Sequence, residues 1–185
     1  SLLFLLITMH VFSQNNKSNL YSGGMLFYQP GYTTTSTDYQ TLKNNSNSIG
    51  GILRFYISDY FTAGIYGGSQ RTKYITEGSD NSYISLGYGG PFAGVSHKSG
   101  KFRYTLSVFA GMGSVKNLHV QSQSENKLTD AYLTKYPALV YSPILSVDYA
   151  LNSKISFTLQ GVYLIANYDN KFLYNPTLQF GILFN

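Results

Sequence analysis

The sequence predicts an all-β protein, an eight-stranded antiparallel up-and-down transmembrane β-barrel with short turns at one end and long loops at the other. Three observations lead there. The stretch 136–166, YPALVYSPILSVDYALNSKISFTLQGVYLIA, alternates with a period of two on both sides of a break at Asn152-Ser153-Lys154. Its arms are each longer than ten residues, whereas soluble strands usually run about 5–6 and membrane strands need about 9–11. Finally, only 11 % of the 185 residues are charged, against roughly 25 % in ordinary soluble domains.

Within that hairpin, one face carries Leu139, Tyr141, Leu145, Val147, Tyr149 and Leu151, then Ile155, Phe157, Leu159, Tyr163 and Ile165. The other carries Ala138, Val140, Ser142, Ile144, Ser146 and Asp148, then Ser156, Thr158 and Gln160. Successive strand side chains point to opposite faces, so the first set faces lipid and the second faces a lumen. Mean hydropathy is only −0.10, because apolar outward and polar inward residues average out in such a wall. Closure of the sheet follows, since an open edge cannot persist in hydrocarbon.

The remaining strands are read in order. Residues 1–13, SLLFLLITMHVFS, form an apolar stretch ending in a small-residue site, a truncated signal peptide that leaves 14–185 as the barrel domain. Strand one covers 20–29, with Met25 and Phe27 competing with Leu26 and Tyr28 for the outer face. Strand two, 49–57, turns Ile52, Arg54 and Tyr56 one way and Leu53, Phe55 and Ile57 the other, before a turn at Ser58-Asp59-Tyr60. Strands three to five cover 61–72, 83–96 and 102–114, and the last strand covers 176–184. Polar connections at 33–48, 76–82, 116–135 and 167–175 read as long loops, alternating with the short turns. Pro91, Pro137, Pro143 and Pro176 lie in or at the ends of strands, where a missing N–H calls for a bulge or a strand end.

Composition narrows the function. Thirteen Lys/Arg against eight Asp/Glu give +5, but the basic residues form no run, so nucleic acid is not a partner. With no cysteine there is neither a disulfide framework nor a thiolate metal site, and no His or carboxylate pair has ligand spacing on one strand face. No metal or cofactor is expected. Arg54, Arg103 and Asp148 all point inward close to short turns, at one level, and Gln160 and Gln179 continue the polar lining. An eight-stranded barrel is just wide enough for side chains to fill, so these five residues read as a plugging network, with Asp148 paired to Arg103 directly or through Arg54. Tyr60, Phe61, Phe102 and Tyr149 at one end, and Tyr83, Tyr136 and Tyr163 at the other, read as interfacial girdles. The doubled glycines read as places of curvature and close packing.

This architecture, together with the terminal strand TLQFGILFN, resembles the small eight-stranded outer-membrane barrels of Gram-negative bacteria, the OmpX/OmpA-type family. The resemblance covers the whole chain after the signal. It implies residence in the bacterial outer membrane, short periplasmic turns, loops outside the cell, and contact with outer-membrane lipids and lipopolysaccharide. It also implies insertion by the barrel-assembly machinery, which reads a terminal aromatic residue; here Phe184 stands one residue before the end. The expected function is non-enzymatic: a monomer whose lumen is plugged and whose loops serve structure, adhesion or interaction with a surface protein or host ligand. Two alternatives stand beside it. One is a lipid A-modifying enzyme, a deacylase or acyltransferase, using His119 near Ser122 and Ser124. The other is a lipocalin-like binder of a small apolar ligand, which would need polar outer faces.

Overall fold

A computed structural model describes residues 21–57, 60–124 and 127–184. Eight antiparallel strands follow one another around a closed barrel: β1 (Tyr21–Ser36), β2 (Thr41–Tyr56), β3 (Phe61–Thr76), β4 (Ser79–Ser99), β5 (Phe102–Ser124), β6 (Lys127–Ala150), β7 (Ile155–Tyr168) and β8 (Lys171–Phe184). Closure joins β1 to β8 from Gly24↔Phe184 to Thr35↔Leu173. Residues 1–20, read as the end of a signal peptide and the start of the first strand, lie outside the described residues. So do Ser58 and Asp59 of the turn after strand two.

The alternation carries through to the walls. Leu26, Leu53, Ile65, Leu106, Leu145, Leu159 and Phe180 stand exposed on the outside, Leu26 by 74 %. Met25, Phe27, Ile52, Tyr66, Phe92 and Phe109 are buried in the lumen, which settles the register of β1: Met25 and Phe27 face in, Leu26 and Tyr28 out. An apolar exterior around a filled interior inverts the usual globular arrangement, and lipid is the solvent that accommodates it. A lipocalin-like binder with polar outer faces is overturned by this exterior.

The polar stretches are where the structure departs from the sequence reading. Outside the hairpin tips, the described residues of 33–48, 76–82, 116–135 and 167–175 are continuations of strands, not irregular loops, and Glu125 and Asn126 lie outside the described residues. The turns that remain are tight: Glu77-Gly78 joins β3 to β4, and Asp169-Asn170 joins β7 to β8 with φ of 46° and 57°, the left-handed pair that a two-residue hairpin turn favours. The polarity of these stretches has a different cause. Their inward residues bond to one another across the lumen: Asn175 Nδ2 donates to Thr33 Oγ1 (2.7 Å) and Ser46 Oγ (2.8 Å), and Thr33 bonds Thr72 (2.7 Å). Strands of 23 and 24 residues in β5 and β6 are about twice the length a membrane demands. The β5–β6 hairpin therefore stands well clear of the apolar band.

The prolines need no bulge. Around Pro91 the β4–β5 ladder skips from Gly89↔Met112 to Phe92↔Phe109, and around Pro143 the β6–β7 ladder skips from Tyr141↔Ile165 to Ile144↔Val162, both without a change of register. The pairing is interrupted on one side of each proline and kept on the other, where Pro91 pairs with Ile65 and Pro143 with Val108. Register shifts occur instead near the hairpin tips, at Tyr74/Thr76 and Val120/Ser122. Tyr136 also departs from expectation. It pairs with Val115 on the inward face and packs 6.2 Å from the ring of Tyr168, so it belongs to the lumen and not to an outer girdle. Tyr60, Phe61, Phe102 and Tyr149 do line the outside near the end where β1 begins and β8 ends.

Candidate functional site: lumen side chains under a braced mouth

Two regions bring chemistry-bearing side chains together. The first is the lumen near the end where β1 begins and β8 ends. Arg54 of β2 points inward because the alternation of Ile52, Arg54 and Tyr56 leaves it no other side, and Asp148 does so for the same reason in β6. Arg54 Nη1 donates to Asp148 Oδ2 at 2.9 Å, with the two side chains 1 % and 5 % exposed. Tyr56 Oη donates to the same oxygen at 3.1 Å and accepts from Arg54 Nη1 at 3.2 Å. Thr158 Oγ1 satisfies the other carboxylate oxygen at 2.7 Å. Such a charge is held only where its bonds are made locally, because an isolated one would cost several kcal/mol of desolvation.

Arg103 takes a different place from the one its register suggests. It is the direct cross-strand partner of Asp148, yet its guanidinium lies 3.9 Å over the Tyr56 ring and donates to Ser96 Oγ at 3.4 Å. It reaches the ion pair through Tyr56. Above this layer aromatic rings pack inside the lumen: Tyr66 meets Phe109 edge-on at 5.0 Å and stacks on Phe27 at 5.5 Å. Gly50 makes room for that stack, since a Cβ there would lie 2.4 Å from Phe27. Gln179 Nε2 donates to Gln29 Oε1 at 2.6 Å and to the Tyr66 hydroxyl, and Tyr88 joins the same group through Tyr66 (3.1 Å) and Gln29 (3.2 Å). Gln160 is buried between its register partners Ser146 and Gln179 but bonds neither. Of the five predicted lumen residues, Arg54 and Asp148 thus meet directly, Arg103 lies one ring away, and the two glutamines sit higher. Tyr56, Thr158, Gln29 and Tyr66 were not singled out from the sequence, although face parity already turned Tyr56 and Thr158 inward.

The second region is the mouth at the hairpin end. The β1–β2 tip is ordered by Thr37, whose N–H bonds Gln40 O (2.9 Å) and whose Oγ1 accepts from Gln40 N (3.0 Å). From it Tyr39 crosses to the opposite wall and stacks on His119 of β5, rings 3.7 Å apart and 6° from parallel. Tyr132 tilts against Tyr39 at 6.4 Å, and Tyr74 Oη lies 3.4 Å from His119 Nδ1. Asp38, next in the tip, pairs with Lys171 of β8, and that hydrogen bond holds the Lys171 ammonium above its ordinary range. Gln40 Nε2 donates to Ile75 O of β3 at 3.3 Å. One tip therefore braces three other walls. Among the described residues, no group of three His, Asp or Glu side chains gathers that could hold a metal.

No family model and no curated protein matches the chain. Solved structures do. The attachment invasion locus protein Ail of Yersinia pestis, crystallised with the heparin analogue sucrose octasulfate, aligns over 89 % of this chain and 100 % of its own at 14 % identity, with a TM-score of 0.52. Neisserial surface protein A aligns over 87 % of this chain and 96 % of its own at 12 % identity, with a TM-score of 0.56. The fold is that of the small outer-membrane β-barrels. At this identity the likeness concerns the fold alone, and it agrees with the lipid-facing exterior that the strands build here.

Proposed function

We propose that this outer-membrane barrel is a non-enzymatic monomer, plugged along its axis, that presents its hairpin end outside the cell for structure, adhesion or interaction. The observation that carries this reading is the brace at the mouth: Tyr39 on His119, Asp38 on Lys171 and Gln40 on Ile75 O tie hairpins from opposite walls into one platform. A channel has no use for such a cross-tie, whereas a docking surface gains from preorganisation. The plugged axis is supported by the buried Arg54–Asp148 pair and the Tyr66–Phe109 contact, which lie in the lumen one above the other. His119 lies between two tyrosine rings, an arrangement that supports packing over activation of a serine hydroxyl. Phe184 supplies the aromatic residue that the assembly machinery reads during insertion.

Ail is known bound to a sulfated sugar analogue, so a sulfated glycan is the first ligand class to test, alongside lipopolysaccharide and host matrix proteins. The full chain in detergent is passed over immobilised heparin and matrix proteins, with a Tyr39→Ala/Tyr132→Ala variant as control. Saturable binding lost in that variant supports the platform. Release of fatty acid from lipid A by the purified chain overturns the non-enzymatic reading in favour of the modifying-enzyme alternative.

A further inference from the structure

The outer face of the barrel carries a row of cations where the apolar band ends toward the mouth. The ladders set Asn47, Arg71, Ser85, Lys116 and Lys135 side by side on five successive strands, β2 to β6. Neighbouring strands lie about 4.8 Å apart, so Lys116 and Lys135 are immediate neighbours and Arg71 is about 10 Å from Lys116. Arg71, Lys116 and Lys135 are exposed. The ion pairs among the described residues use Arg54 and Lys171, so none of their carboxylates neutralises this row. Like charges directly opposite one another weaken a strand pair, and an anion between Lys116 and Lys135 removes that repulsion. Arg71 is already posed for one: its guanidinium lies 4.1 Å over the ring of Tyr83, which steadies it and leaves its N–H edge open.

Directly beneath the row, toward the membrane centre, the wall loses its side chains. The next rung reads Ile49, Ser69, Gly87, Ser114 and Pro137, and the one after reads Gly51, Gly67, Gly89, Met112 and Leu139. Neither crowding nor backbone conformation requires glycine at 87 or 89. A Cβ at Gly87 meets nothing within 4 Å, the nearest atom to one at Gly89 is Tyr66 O at 3.9 Å, and neither residue has a positive φ. A glycine inside a strand with no such cause often marks a place where another molecule comes close. The furrow is walled by Ile49 and Met112, exposed by 69 % and 74 %.

We propose that the cation row and the furrow together seat one phosphate-bearing lipid of the outer leaflet. Lys116 and Lys135 hold the phosphate with Arg71 on its flank, and an acyl chain lies along Gly87 and Gly89. Charge calls for an anion, and the apolar furrow under it calls for one that carries a hydrocarbon tail; a free phosphate satisfies only the first. The seat rests on the outer-membrane placement and is independent of any partner at the hairpin tips.

The full chain in detergent, titrated with diphosphoryl lipid A and followed by native mass spectrometry, tests it. The wild type should retain one lipid. Arg71→Gln/Lys116→Gln/Lys135→Gln should weaken retention about a hundred-fold, roughly a factor of five for each cation, and Lys116→Gln alone about five-fold, the smallest change to the barrel. Gly87→Leu should weaken lipid A while leaving inorganic pyrophosphate binding unchanged. Lys98→Gln/Lys154→Gln, near the other end, should leave lipid A retention at the wild-type level. Unheated and boiled samples on a gel verify that each variant is folded. Wild-type retention by the triple variant overturns the seat, as does equal loss in the Lys98/Lys154 control. Pyrophosphate that displaces lipid A at equal affinity overturns the lipid and leaves a free polyphosphate as the ligand. Loss of heparin or matrix-protein binding with lipid retention intact bears on the hairpin platform alone.

Discussion

Arg54 and Asp148 stand on opposite walls of the barrel, four strands apart in a ring of eight, and their 2.9 Å bond spans the lumen. A salt bridge so placed is a crossbar. It joins β2 to β6, which share no ladder, and it ties the Arg103–Tyr56 contact and Thr158 into the same layer. Its worth lies less in net stability than in the penalty for leaving either charge alone, since breaking a buried pair costs about 3–5 kcal/mol while replacing both partners by apolar groups is often neutral.

That asymmetry is directly measurable. Asp148→Asn and Arg54→Met, each alone, should lower the stability of the detergent-folded barrel by about 3–5 kcal/mol in urea unfolding, and the double Arg54→Met/Asp148→Leu should recover most of the loss. If the single changes cost well under 1 kcal/mol, water fills this layer and the plug is lost.

Conductance gives an independent check. If the lumen is plugged as proposed, the wild type should show no steady large conductance in planar bilayers, with the Tyr66–Phe109 contact above the ion pair providing a second, separate seal. Asp148→Asn should also stay closed; an open channel in either protein contradicts a filled lumen.

Membrane insertion and orientation can be read on cells. The folded chain should migrate differently on a gel unheated than boiled, as a closed barrel resists unfolding. Single cysteines in place of Asp80, Gln123 and Asp169 should react with an impermeant reagent on intact cells, and those replacing Ser99 and Ser153 should not. Equal reaction at both ends would discard the assignment of the hairpin end to the outside.

At the mouth, Tyr39→Ala should cost about 0.5–1.5 kcal/mol through the lost stack on His119. It should also speed amide exchange in the 37–40 turn without touching the Arg54 layer. The Asp38–Lys171 contact is exposed and worth less. Because the folded state raises the Lys171 pKa, its contribution is fully present below the ordinary lysine value near 10.4 and is lost as pH rises through the folded value. Exchange in the turn should therefore quicken in that alkaline range, and a Lys171→Met variant should already show the quicker exchange at neutral pH.

The sequence by itself determined the number of strands, their up-and-down order and the facing of almost every residue in the membrane band. These are local properties: a period of two is written into neighbouring residues, and Asp148 faces the lumen because Leu145, Val147 and Tyr149 face lipid. The sequence misread the stretches 33–48, 76–82, 116–135 and 167–175, because hydropathy reports the solvent a strand meets and not the conformation of its backbone. Once past the apolar band a strand can be polar on both faces, and its alternation fades. Only the tertiary structure decided which partners meet across the lumen. Arg103 is the ladder neighbour of Asp148, but the carboxylate went to Arg54, 94 residues away in sequence, because closure brings opposite walls within reach and Tyr56 offers Arg103 a ring to lie on. The Tyr39–His119 stack and the Arg71–Lys116–Lys135 row have the same origin. Strand register and barrel closure bring such residues together, and neither is legible in any one strand.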